Sequence, residues 1–66
     1  MKILRLKDVM ITTGLSRSTI YSYISEGIFP KSVTLGSRAV GWVESEVLEW
    51  IIARIRERDE REALAH

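Results

Sequence analysis

A chain of 66 residues with formal charge +1, no cysteine and a single histidine has no disulfides, no thiolate metal site and no room for a second core. A domain this small buries only about 60% of the surface its unfolded chain exposes, so stability rests on a few packed side chains. No apolar run approaches a membrane span and no signal-peptide pattern opens the chain, so a soluble cytoplasmic protein is expected.

The near-neutral total conceals two unlike parts. Residues 1–43 carry six basic side chains against Asp8 and Glu26, a net +4, whereas residues 44–66 carry four arginines against seven carboxylates, a net −3. This split predicts one surface that faces a polyanion and one that faces away. Affinity for such a partner follows the local charge, not the total.

Ile3-Leu4-Arg5-Leu6 reads as an extended lead-in. Helical spacing of Leu6, Val9 and Met10 then predicts a helix over about 6–13, stopped by a sharp turn at Gly14. The period resumes at Leu15, Ile20 and Ile24 and predicts a second helix over about 17–26. Ser16 is its N-cap, Gly27 ends it and Pro30 forbids its continuation. Two short helices over a glycine turn make a helix-turn-helix over about 6–26, whose second helix suits the DNA major groove.

Residues 32–42 hold two β-rich runs around Gly36-Ser37 and predict a hairpin with a type II′ turn, a wing over about 31–42. The longest helix is predicted over about 44–62. Val47, Leu48, Trp50, Ile51, Ile52 and Ile55 share an arc about 200° wide, twice the ~100° stripe a surface helix needs. Arg58 falls inside that arc, so core contact is expected to end near Ile55, with Glu57–Arg61 and Arg58–Glu62 as opposite-charge pairs beyond it. The excess apolar width predicts weak self-association through Leu48, Ile52 and Ile55, with cooperative loading on repeated DNA sites. The expected class is α+β, mostly α. It is a single winged helix-turn-helix over residues 1–66, with a two-stranded β-hairpin wing and a long C-terminal helix.

Projected at about 100° per residue, the second helix turns Tyr23, Ile20 and Ile24 inward and Arg17, Ser18, Tyr21, Ser22 and Ser25 outward. Arginine forks onto guanine O6 and N7, while serine and tyrosine hydroxyls serve bases or phosphates. The competing reading is an ordinary solvated face of small polar residues. The basic bias and the Gly14–Ser16 turn favour DNA. Lys31, at the base of the hairpin, and Arg38, just past its turn, are candidate backbone contacts, although Arg38 also suits an edge charge that discourages aggregation. Arg5 and Lys7 open the first helix, where positive charge opposes the helix dipole and a nearby phosphate relieves that penalty. Trp42 and Trp50 lie on apolar faces and read as core rather than as a stacking platform for bases. His66 stands alone, and no carboxylate pair, nucleophile–base set or phosphate-cradling loop occurs. Neither an enzyme nor a metal or cofactor site is expected.

Five segments carry a family resemblance: Arg5-Leu-Lys-Asp-Val9, Thr13-Gly-Leu-Ser-Arg-Ser-Thr-Ile-Tyr21, Gly27-Ile-Phe-Pro-Lys31, Leu35-Gly-Ser-Arg-Ala-Val-Gly-Trp42 and Ser45-Glu-Val-Leu-Glu-Trp50. In this order they resemble the AlpA family of prophage regulators from about Leu4 to Arg54. The resemblance implies a winged helix-turn-helix related to MerR-type and excisionase DNA-binding domains, in a protein associated with the bacterial nucleoid. It implies either activation of transcription of an integrase or, as the alternative, an excisionase that bends DNA. It also implies that Arg17, Ser18 and Tyr21 contact DNA from the recognition helix and Arg38 from the wing. A reading of another class is a protein-interaction adaptor that keeps the fold without binding DNA. One position departs from the family pattern. Val43 stands where a polar cap is common, so Ser45 or Glu46 is expected to cap the last helix.

Overall fold

In the computed structural model, which describes residues 1–65, the chain runs β1 (Ile3–Leu4), α1 (Leu6–Thr13), α2 (Arg17–Ser25), β2 (Val33–Thr34), β3 (Val40–Val43) and α3 (Glu44–Ala65). His66, set aside above as a ligand, lies outside the described residues. Two short helices, a small antiparallel sheet and a long final helix make up the fold. No helix among the described residues is long and apolar enough to cross a membrane.

The two short helices end by the same device. Gly14 and Gly27 both sit at φ 74°, the left-handed region that side chains with a Cβ disfavour. After α2 the Ile28 N–H donates to the Tyr23 carbonyl at 2.8 Å and the Gly27 N–H to the Ile24 carbonyl at 3.1 Å. These paired bonds form a Schellman cap. α2 therefore stops at Ser25, with Glu26 as its C-cap rather than its last residue. At the other end of α2, Ser16 Oγ accepts the Thr19 N–H at 3.2 Å and donates to Thr19 Oγ1 at 2.9 Å. Ser16→Ala is expected to cost about 1 kcal/mol. In a domain of this size the thermal midpoint then falls by about 4–8 °C. An unchanged midpoint would show that the cap contributes nothing.

Two features of the sheet differ from expectation. It has three strands, not two, in the order β1-β3-β2, all antiparallel. Ile3 pairs with Val43 and Leu4 with Trp42, so the lead-in becomes an edge strand, while Val33 pairs with Gly41 and Thr34 with Val40. Gly41 permits this closure, because a Cβ there would run into Ile3 Cγ2 and stand 3.0 Å from the Leu4 carbonyl oxygen. The second difference is the turn. The Leu35 N–H donates to the Ala39 carbonyl at 2.7 Å, which leaves residues 36–38 to cross the tip. Gly36 lacks the positive φ that a type II′ turn needs at its first central position. Arg38 consequently sits within the loop instead of just beyond it.

Strand β3 runs into α3 with no linker. The expected caps, Ser45 and Glu46, are replaced by backbone. The Glu44 N–H donates to the Lys2 carbonyl at 2.9 Å, so the residue before β1 satisfies the first amide of α3. Glu44 and Glu46 place negative charge in the first turn, where the helix dipole favours it.

The core consists of Leu4, Val9, Ile20, Phe29, Trp42 and Val47, one each from β1, α1, α2, the segment between α2 and β2, β3 and α3. Trp42 belongs to it, Trp50 packs partly buried against it, and both anchor the segment between α2 and β2. Trp42 Nε1 donates to the Pro30 carbonyl at 3.1 Å, and Trp50 Nε1 to the Ile28 carbonyl at 2.7 Å. The Phe29 ring meets Trp50 edge-on at 4.9 Å. Core contact along α3 ends at Ile51, a turn earlier than expected, and Ile55 is 44% exposed. Arg54 lies where the next core residue would be, its guanidinium 5.2 Å from the Trp50 ring centre. The charge pairs also differ from those expected. Arg54 pairs with Glu57 at 2.6 Å and Arg58 with its neighbour Asp59 at 2.8 Å, in place of Glu57–Arg61 and Arg58–Glu62. Exposed ion pairs are nearly equal in energy, so spacing alone does not select among them.

Candidate nucleic-acid interface

α2 fixes the candidate surface through what it buries. Ile20 is fully buried, and Tyr23 and Ile24 pack partly buried against the core. The helical period then leaves Arg17, Ser18, Tyr21, Ser22 and Ser25 exposed on the opposite side. The division is the one the projection predicts. The first-turn amides of α2 have no intrahelical carbonyl to bind. The Thr19 amide is taken by Ser16, and that hydroxyl also lies 3.3 Å from the hydroxyl of Ser18.

Arg17 and Tyr21 form a unit. The Arg17 guanidinium lies 5.9 Å from the Tyr21 ring centre, and that ring meets Trp42 edge-on at 6.3 Å. The contact ties the exposed face of α2 to β3, the central strand of the sheet that bears the wing. A ring wedged against a buried indole is a firm platform, and it restricts where the arginine can swing. Projection puts Tyr21 on the solvent face and gives no hint of the Trp42 contact. The sequence signal was the bare presence of a second aromatic across the fold. Ser16 is more than a cap, since its hydroxyl also arranges the first turn of the same face.

The remaining candidates are spread over the basic part of the chain. Arg38 is exposed in the wing loop. Arg5 and Lys7 are exposed at the start of α1, where Asp8 accepts the Arg5 N–H at 3.4 Å and offsets the charge there. Lys31 is exposed as well, but it borders a depression shared with Glu46 and Glu49 of α3. The structure thus brings Arg17 and Tyr21 together and places Lys31 beside the acidic helix.

Among the described residues, Arg5, Lys7, Arg17, Lys31 and Arg38 have no carboxylate partner; in α3, Arg54 and Arg58 are paired to neighbouring acids while Arg56 and Arg61 are not. Lys2 makes a loose contact of 3.8 Å with Glu44. Unpaired guanidinium and ammonium groups on a stable scaffold are available to phosphates without first breaking a bond.

A glycine-linked helix pair, a small antiparallel sheet carrying a wing, and a long C-terminal helix place this chain in the winged helix-turn-helix class. The profile of the family described as prophage CP4-57 regulatory protein (AlpA) matches residues 2–55, which covers both helices, the wing and the packed part of α3. The chain belongs to the AlpA family of prophage regulatory proteins. It is 39% identical over 61 residues to the DNA-binding transcriptional activator AlpA of Escherichia coli K12, covering 83% of this chain and 87% of that protein. It is also 49% identical over 57 residues to the uncharacterized protein ORF88 of Enterobacteria phage P4, covering 86% of this chain and 65% of that protein. The chain thus spans just under two thirds of the phage protein's length.

Proposed function

We propose that this protein is a cytoplasmic regulator that binds specific double-stranded DNA and controls transcription in a prophage or integrated mobile element. The observation that carries the reading is the exposed face of α2, with Arg17 held over Tyr21 beside an N-terminal turn free of carboxylates. In this reading α2 enters the major groove. Arg17 reads a base edge while Ser18, Tyr21 and Ser22 serve bases or phosphates. Arg38 lies on the backbone from the wing, and Arg5 and Lys7 from the start of α1. Lys31 contributes a peripheral charge that Glu46 and Glu49 partly offset. The family supports regulation of a prophage, and the relative named as a transcriptional activator supports activation as its direction. A second copy of the chain is the other partner we propose, loading cooperatively on repeated sites.

Incubating the protein with sheared host DNA and sequencing the retained fragments tests the reading. Enrichment of one short motif is expected. Retention of fragments without any shared motif would leave only nonspecific binding, and retention of none would favour the adaptor reading. Arg38→Ala is expected to weaken binding to all sequences alike and to reduce the salt slope by about one unit. A loss that varies strongly among sequences, with the slope intact, would mean that the wing reads a base or groove shape.

A further inference from the structure

α3 continues well past the body it packs against. Its part in the core ends at Ile51, yet the helix runs to Ala65 and gives the molecule extents of 51 × 25 × 19 Å. A projecting helix of about four turns is marginal in water without a packed face. On its open side Leu48, Ile52 and Ile55 stand 44, 45 and 44% exposed. Their spacing of four and then three residues makes one stripe, the seam pattern of a two-helix coiled coil.

The charges beside this stripe indicate what covers it. Glu49 and Arg56 lie on one flank, seven residues apart, and border a single shallow depression together with Ile52. Among the described residues neither has an ion-pair partner. A two-fold axis across the helix near Ile52 runs a second α3 antiparallel to the first. The flank then meets itself reversed, and each Glu49 faces Arg56 of the second copy. A parallel arrangement offers neither group an opposite charge and crowds two folded bodies at one end.

We propose that α3 is a self-recognition surface that pairs antiparallel with a second copy of this chain, Leu48, Ile52 and Ile55 forming the seam and two symmetric Glu49–Arg56 ion pairs setting its direction. The inference rests on the self-association proposed above and specifies its geometry. Three half-exposed side chains and one charged flank fall short of the ~1,200 Å² typical of stable interfaces, so the dimer is weak in solution. Two adjacent DNA sites raise the effective concentration to about millimolar and populate it there.

Sedimentation across concentrations tests this with four samples: the wild-type chain, Glu49→Arg, Arg56→Glu, and an equimolar mixture of the two variants. Wild-type chain is expected to dimerise weakly, and each variant about tenfold more weakly, because like charges then meet across the two-fold axis. The mixture is expected to recover wild-type affinity or better, since it pairs arginines on one chain with glutamates on the other. Both positions are exposed, and far-UV circular dichroism confirms that each variant keeps its helices. A wild-type chain monomeric up to about millimolar concentration would overturn self-association itself. A dimeric wild type whose variants mix without recovery would overturn the antiparallel geometry alone.

Discussion

Replacing Trp42 with alanine is expected to unfold most of the protein at 37 °C. The indole is fully buried at the centre of the sheet, its Nε1 holds the Pro30 carbonyl at 3.1 Å, and the Tyr21 ring rests against it. Truncating a buried tryptophan costs about 3–5 kcal/mol. Total stability at this length is about 3–10 kcal/mol at the usual 0.05–0.15 kcal/mol per residue. The loss is therefore comparable to the whole. Urea unfolding followed by far-UV circular dichroism reads it directly. A cooperative transition with a midpoint near that of the wild type would contradict the placement of Trp42 as the central packing residue.

Arg17→Ala is expected to have the largest effect on recognition, about 1–3 kcal/mol of lost specific affinity with relaxed preference at one base pair. Arg17 stands at the N-terminal end of α2, where groove insertion is deepest, and Tyr21 orients it. Tyr21→Phe keeps the ring against Trp42 and is expected to lose much less. Equal losses for Arg17→Ala on specific and random duplexes would reassign the side chain to a phosphate. Unchanged binding on both would remove it from the interface.

The helices were legible in the sequence because their signals are local. Apolar residues at helical spacing set the inward faces of α1 and α2, and a glycine with positive φ ends each of them. The long apolar run of α3 gave its position but not its use. Periodicity shows that a face is apolar without showing how far a 66-residue body extends beneath it, so it points to Ile55 as the end of core contact where the structure has Ile51. The third strand of the sheet is hidden for a similar reason. A two-residue strand such as β1 has too few positions to show alternation, and its pairing with β3 depends on Gly41, some 37 residues away. The cap of α3 was hidden for the same reason, because the Lys2 carbonyl that supplies it belongs to the other end of the chain. In the candidate site, the exposed set on α2 followed from one helical projection. The Tyr21–Trp42 contact that steadies it is tertiary and left no mark on local spacing.

The central claim is that the basic, unpaired part of this chain holds duplex DNA through α2 and the wing. Equilibrium binding to a duplex containing the retained motif, measured over a range of salt concentrations, tests it most directly. Arg5, Lys7, Arg17 and Arg38 are unpaired and exposed, and one of them is assigned to a base. The account predicts that the logarithm of affinity falls with the logarithm of salt at a slope of about −3, at roughly 0.9 per neutralised phosphate. The slope is expected to shrink when Arg38 is removed. Affinity that does not change with salt, or no binding to the duplex at low salt, would contradict it.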